Sequence, residues 1–332
     1  LMTEAIANAM TEQGLDLPDA LAAVLPGLEG AFTLAVMDTS TLVGVRDPHG
    51  FRPLCLGSLD DSWVIASETA ALDIVGADFV REIQPGEMVV IDADGPRFRE
   101  PFAATTTDLC IFEFVYFARP DSTLLGHNVH TRRQNMGRSL AQQAPVDADV
   151  VVPVPESGIP AAQGFAAVSG IPYSDGLVKN RYVGRTIIRP AQAMRDRGVR
   201  MKLNAMPSVI SGKRVVLVDD SIVRGSTTQQ LVAMVREAGA TEVHLRISSP
   251  PYRWPCFYGM DTGDRSTLLA ADRTTEEIRH HLDVDSIVYL SLDNLIAATK
   301  SDPESFCTAC LSGNYPTRVP LTDSKFLLEQ TT

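Results

Sequence analysis

KRVVLVDDSIVRGSTT, residues 213–228, decides the fold. Its first half is a short apolar, β-branched run without polar alternation, the signature of a strand buried on both faces. That run ends in two adjacent carboxylates, Asp219 and Asp220, followed by a loop with one glycine and three hydroxyls, Gly225, Ser226, Thr227 and Thr228. The loop opens a helix, QQLVAMVREAG (229–239), and VHLRI (243–247) reads as the next strand. Upstream, VVPVP (151–155) is another unalternating strand, and helical composition runs from Ser157 to Ser169. Strand–helix–strand order with apolar strands predicts a parallel sheet flanked by helices, an α/β unit.

In such a sheet ligands bind beyond the carboxyl ends of the strands. Free N–H groups at a helix start, a glycine for close approach and hydroxyl donors together suit a phosphate. Two acids beside a phosphate cannot bind it; they suit sugar hydroxyls or a divalent cation. A phosphate with a ribose one sugar-length away is the natural ligand. The same residues taken without the acids would read as a capped helix after a buried strand. Neither a G-x-x-x-x-G-K-[ST] loop nor a G-x-G-x-x-G motif is present.

The stretch before residue 105 has a different grammar. Residues 1–27 read as helix, with breaks at Gly14, Pro18 and Pro26. GAFTLAVMD, TLVGVRD, LCLGSL, SWVIASE and EMVVIDADG are short β-rich runs separated by turn residues, which predicts antiparallel hairpins in an α+β unit. The boundary falls in REPFAATTTD, near 100–108.

A net charge of −12 over 332 residues excludes a protein that coats nucleic acid or anionic membrane. The average hides an island. Residues 179–202 carry eight Lys/Arg and one acid, Asp196; that is +7, so the remainder is −19. The island is either a solvated surface stretch or a mobile basic loop of the kind a polyphosphate leaving group requires. No run of 18 apolar residues or secretory signal is visible, and five cysteines are too few for a disulfide scaffold. A reducing, cytoplasmic location is the reading. Cys307 and Cys310 form C-x-x-C, compatible with a redox pair, a zinc half-site or chance; four thiolates could hold tetrahedral zinc or an iron–sulfur cube.

The acid-pair segment resembles the phosphoribosyl diphosphate (PRPP) motif of type I phosphoribosyltransferases, and within them the amidophosphoribosyltransferase family. FVYFARPDS (114–122), VPVPESG (152–158), KNRYVGRT (179–186) and SSPPYRWPCFYGMD (248–261) extend the resemblance over essentially the whole chain. It implies a partial Ntn-hydrolase-type αββα glutaminase domain at 1–104, a phosphoribosyltransferase domain at 105–320 and a tail at 321–332. It implies the reaction of PRPP, glutamine and water to 5-phospho-β-D-ribosylamine, glutamate and pyrophosphate, the first committed step of purine synthesis, with ammonia passing between the domains. By this resemblance Asp219 and Asp220 hold the ribose, and Arg224, Gly225, Ser226, Thr227 and Thr228 hold the 5′-phosphate. Glu156, Ser157 and Gly158 line the pyrophosphate site, and Ser157, Asp219 and Asp220 stand at the Mg²⁺-associated positions. Lys179, Tyr182 and Arg185 contact PRPP from the basic loop. Cys110, Cys256, Cys307 and Cys310 match the ligands of the family's [4Fe–4S] branch one by one, while Cys55 is a core thiol. A homo-oligomer, commonly a tetramer, and feedback by purine nucleotides are further implications.

The glutaminase nucleophile of this family is an N-terminal Cys. The sequence begins at Leu1 with no Cys before Cys55, so the expectation is an N-terminally truncated chain unable to hydrolyse glutamine. The rival readings are a base-salvage phosphoribosyltransferase, a non-catalytic PRPP-binding regulator and an inactive gene fragment.

Overall fold

A computed structural model describes residues 2–180, 203–262 and 264–319. Helices α1 (Met2–Gln13) and α2 (Leu17–Val24) open the chain. Pro18 starts α2 rather than breaking it, because a proline in the first helical turn forfeits only an N–H that is already without an intrahelical partner. Asp16 caps α2 by accepting from Asp19 N at 2.9 Å. The predicted hairpins follow as β1 (Thr33–Met37), β2 (Leu42–Arg46), β3 (Cys55–Leu59) and β4 (Ser62–Ala66). Helix α3 (Thr69–Val75) then precedes β5 (Asp78–Glu82), β6 (Met88–Asp92) and β7 (Gly95–Arg99).

These strands form two antiparallel sheets, β1-β2-β6-β7 and β4-β3-β5. Side chains of period two separate the layers. Val43, Val45, Met88 and Val90 pack under Leu17, Ala20 and Leu21 of α2. Val89 and Ile91 face the other way, onto Leu56 and Ile65 of the second sheet. Leu72 of α3 closes the outer face with Cys55. The layering is therefore helix, sheet, sheet, helix.

After residues 100–108, which carry no helix or strand, come β8 (Leu109–Cys110), a π-helical turn (Glu113–Phe117) and α4 (Val129–Gln143). The second unit is built on β9 (Val150–Pro153), α5 (Ile159–Ser169), β10 (Arg214–Asp219), α6 (Ser226–Glu237), β11 (Glu242–Ile247), α7 (Thr275–Leu282), β12 (Ser286–Tyr289) and α8 (Leu292–Thr299). Its strands pair in parallel in the order β9-β10-β11-β12. Val151, Val216 and Val218 pack on α4 and α5; Val215, Leu217, Val243 and Leu245 pack on α6 and α7. Both faces are covered, as the unalternating strands require. Among the described residues the last strand, β13 (Phe306–Cys307), pairs in parallel with β8.

Candidate active site and cysteine site

Asp219 is the last residue of β10 and Asp220 the next, at the carboxyl edge of the sheet. Both are buried, at 8 % and 6 % exposure, so their charges sit where water does little to relieve them. Burial and then the neighbouring Asp220 charge raise Asp219 well above the usual carboxylate range. Burial raises Asp220 too, against the hydroxyls of Ser157 and Ser221 and the charge of Arg133. Ser221 Oγ donates to Asp220 Oδ1 at 2.5 Å, and Asp220 N donates to Asp219 Oδ1 at 2.9 Å.

Gly225 stands immediately before α6 at φ +80°, a left-handed conformation that side chains disfavour. A Cβ there would also meet Leu269 Cδ2 at 2.7 Å. No side chain caps α6, so the first-turn N–H groups of Ser226, Thr227 and Thr228 have no capping partner, and five residues, 221–225, separate this helix start from the acid pair. Ser226 and Thr227 are exposed and Thr228 is buried. Arg224 is exposed and its Nη2 donates to Asp261 O at 3.4 Å.

The Glu156–Gly158 turn joins β9 to α5 on the same edge. Gly158 N donates to Val154 O at 2.9 Å, so this glycine offers room, not a donor. A Cβ on it would stand 2.5 Å from Val218 O. That closeness brings Ser157 to Asp220. Lys179 ends a short strand, Leu177–Lys179, paired with Leu203–Ala205, and its Nζ lies 3.4 Å from Glu156 Oε2. The structure thus gathers Glu156, Ser157, Lys179, Asp219, Asp220 and the Gly225–Thr228 turn along one edge. Tyr182 and Arg185, with the rest of the basic island from 181 to 202, and the tail 321–332 lie outside the described residues.

The donors Asp219, Asp220 and Ser157 are hard oxygens. Mg²⁺ binds through one or two carboxylates plus substrate phosphates, and these residues fit that pattern.

Cys110 and Cys307 stand opposite one another in the β8–β13 pairing, and Cys310 follows in a single helical turn, Ala309–Ser312. Tyr258 N donates to Cys256 Sγ at 3.4 Å. Cys310 lies in the field of Cys110, Cys256 and Cys307, so the four cysteines share one locale. All are free thiols, and burial pushes Cys110 and Cys307 up to about 12. Among the described residues no three His, Cys, Asp or Glu side chains converge as a single metal ion would need. A four-iron cube is a larger body with one thiolate at each of four corners, and the four-cysteine donor set fits it in kind.

Two features escaped the sequence. Arg133 is a buried side chain on α4 whose Nε donates to Phe114 O at 2.7 Å and whose Nη2 donates to Ala118 O at 2.7 Å. A cavity of 480 Å³ between the two units is lined by Phe32, Arg52, Glu68, Glu113, Phe117 and Tyr258. Neither residue type nor spacing marks them, because their partners are backbone atoms or come from the other unit.

A parallel sheet with an acid pair and an uncapped helix start, joined to a four-layer αββα unit, defines a phosphoribosyltransferase-type domain carried with a glutamine-amidotransferase-type one. Family models agree: a phosphoribosyl transferase domain matches residues 133–248, and a glutamine amidotransferase domain matches residues 3–74. The amidophosphoribosyltransferase of Mycobacterium tuberculosis (strain H37Rv) is 53 % identical over 326 residues, covering 96 % of this chain and 60 % of its own length. That of Synechocystis sp. is 48 % identical over 337 residues, covering 100 % of this chain and 68 % of the relative. The solved glutamine PRPP amidotransferase from B. subtilis, complexed with ADP and GMP, aligns with TM-score 0.89 at 46 % identity, over 96 % of this chain and 71 % of that one. The chain belongs to the amidophosphoribosyltransferase family. It spans about 60 % of the length of its mycobacterial relatives.

Proposed function

We propose that the chain carries the phosphoribosyl-transfer site of an amidophosphoribosyltransferase: ammonia, drawn from glutamine by the whole enzyme, displaces pyrophosphate from C1 of PRPP to give 5-phospho-β-D-ribosylamine. The observation that carries this reading is the buried Asp219–Asp220 pair beside the uncapped start of α6. The first-turn N–H groups of α6, with the Ser226, Thr227 and Thr228 hydroxyls and Arg224, hold the 5′-phosphate. Asp219 and Asp220 accept hydrogen bonds from the ribose hydroxyls and so fix the ring. Glu156, Ser157 and Gly158 shape the pyrophosphate side, and Lys179, Tyr182 and Arg185 supply positive charge to it. The C1–O bond breaks as the N–C1 bond forms, the oxygen leaves with pyrophosphate, and the nitrogen releases one proton to the departing pyrophosphate or to water. Side chains position the reactants and stabilise charge; none needs to form a covalent bond. Mg²⁺, when held by Asp219, Asp220 and Ser157, would neutralise charge on the diphosphate.

Cys110, Cys256, Cys307 and Cys310 hold a [4Fe–4S] cluster that ties the C-terminal segment to β8. Purine nucleotides inhibit at or beside the phosphate cradle, a reading supported by the nucleotides bound in the B. subtilis relative. Exposed Ile74 and Phe79, at 70 % and 50 %, support a homo-oligomer, a tetramer by resemblance. Calorimetry with PRPP and Mg²⁺ tests the site: saturable binding by the wild-type chain that is lost in an Asp219→Asn/Asp220→Asn double variant is the expected result. Equal affinity in both would exclude the acid pair as the ribose clamp.

A further inference from the structure

Arg52 belongs to the first unit, just before β3, yet its side chain reaches into the second. Nη1 donates to Glu113 Oε1 at 2.8 Å and Nη2 to Tyr258 O at 3.2 Å, and the guanidinium lies 4.4 Å from the Phe117 ring centroid. Room for it exists because residue 259 is glycine, at φ +115°; a Cβ there would stand 2.8 Å from Arg52 Nη2. The preceding residue is fastened to the same place. Phe51 O accepts from Cys110 N at 3.0 Å, and the Phe51 ring stacks on Tyr258 at 4.1 Å and 12°. Tyr258 in turn donates its N–H to Cys256 Sγ. Two consecutive residues of the amidotransferase-type unit therefore grip the Cys110 strand and the Cys256 loop.

We propose that Arg52 is a positioning residue of the cysteine site, acting as the counter-charge for a bound iron–sulfur cluster and as the tie between that cluster and the amidotransferase-type unit. The inference rests on the cluster reading above. Four thiolates around a cluster place net negative charge in a buried setting, where a fixed cation offsets it far better than in water. Glu113 orients the guanidinium by taking Nη1, which leaves Nη2 toward the Cys256 loop.

The test is iron retention by the full chain, purified and reconstituted anaerobically, with iron and acid-labile sulfide measured first. A chelator then extracts iron from wild type, Arg52→Lys, Arg52→Gln and Glu113→Gln. Arg52→Gln is expected to lose iron about tenfold faster than wild type, the scale of an outer-shell ligand change. Arg52→Lys keeps the charge but not the planar fork, and is expected to lose iron more slowly than Arg52→Gln. Glu113→Gln keeps an oxygen acceptor for Nη1, so the guanidinium stays oriented, while removing the opposing charge; it retains iron at least as well as wild type, which keeps the test open should Arg52→Gln not fold. Equal rates in all four, Arg52→Lys as fast as Arg52→Gln, or Glu113→Gln as fast as Arg52→Gln would overturn the role of Arg52. Wild-type protein without iron and sulfide overturns the cluster reading itself, an outcome recognisable before any variant is made.

Discussion

Replacing Gly158 by alanine tests how tightly the turn below Ser157 is built. The added Cβ would stand 2.5 Å from Val218 O and 2.8 Å from Val154 O, closer than such contacts tolerate, and both obstacles are backbone. The turn must therefore move away from β10. Val218 O also accepts from Val154 N at 2.8 Å, so the movement strains a bond that joins β10 to the turn after β9. Overpacking of this kind costs about 1–3 kcal/mol. Weakening the backbone bond adds about 1 kcal/mol. The expected loss of stability by urea unfolding is thus about 2–4 kcal/mol, with PRPP affinity falling at least ~10-fold as Ser157 withdraws from Asp220. Gly170→Ala is the control. Gly158 has an ordinary helical φ of −75°, whereas Gly170 has positive φ, +73°, with nothing within 4 Å of its Cβ position, so Gly170→Ala carries conformational strain alone, about 1 kcal/mol. A Gly158→Ala protein as stable as wild type, with unchanged PRPP affinity, refutes the reasoning.

Other variants probe charge and burial. Asp219→Asn removes one of two buried like charges, so its thermal midpoint should equal or exceed that of wild type while PRPP turnover falls about 100-fold or more; a variant that is both active and less stable contradicts the assignment. Burial, then Glu82, raises the Cys55 thiol to about 12. The folded value is above the unfolded one, so the neutral thiol's contribution is complete below about pH 8.5 and is lost as pH rises toward 12. Iodoacetamide at pH 8 should leave Cys55 unlabelled in the native chain and label it on unfolding, as read by peptide mass. Arg214 donates to both oxygens of Asp149, and these bonds hold the carboxyl at about 2. Its folded value is depressed, so the stabilising effect is present above about pH 4 and lost as pH falls toward 2. The difference in thermal midpoint between wild type and Asp149→Asn should be small and should shrink across that window.

The parts of the molecule written in side-chain pattern were legible in advance. VVLVDD reads as a doubly buried strand because every residue before the acids is apolar, and the structure covers both its faces. TLVGVRD and EMVVIDADG, short β-rich runs set off by turn residues, anticipated antiparallel strands, and the structure pairs them as β2 and β6; their place between two layers follows from which side chains face which sheet. The helix after Gly225 begins at Ser226, three residues before the QQLVAMVREAG run and five before its first apolar residue, Leu231, because an N-terminus is set by the glycine turn and not by the buried stripe. Helix α4 went unread. HTRRQNMGRSL is polar and holds a glycine, and its apolar residues are sparse. Its packing comes instead from Gly137, whose Cβ position lies 1.9 Å from Ala161 O, and from Gly164, similarly close to Gln134 O. Such backbone contact leaves no hydrophobic signal. Arg52 and Arg133 were invisible for a related reason: their partners are carbonyl oxygens and a carboxylate distant in sequence.

Pyrophosphate release from PRPP with ammonia as the nitrogen donor bears most directly on the central claim, because it needs only the strand-end site. Saturable, Mg²⁺-dependent release by the wild-type chain, abolished in Asp219→Asn/Asp220→Asn protein that melts no earlier than wild type, is the result expected. Release that persists undiminished in the double variant would contradict the account.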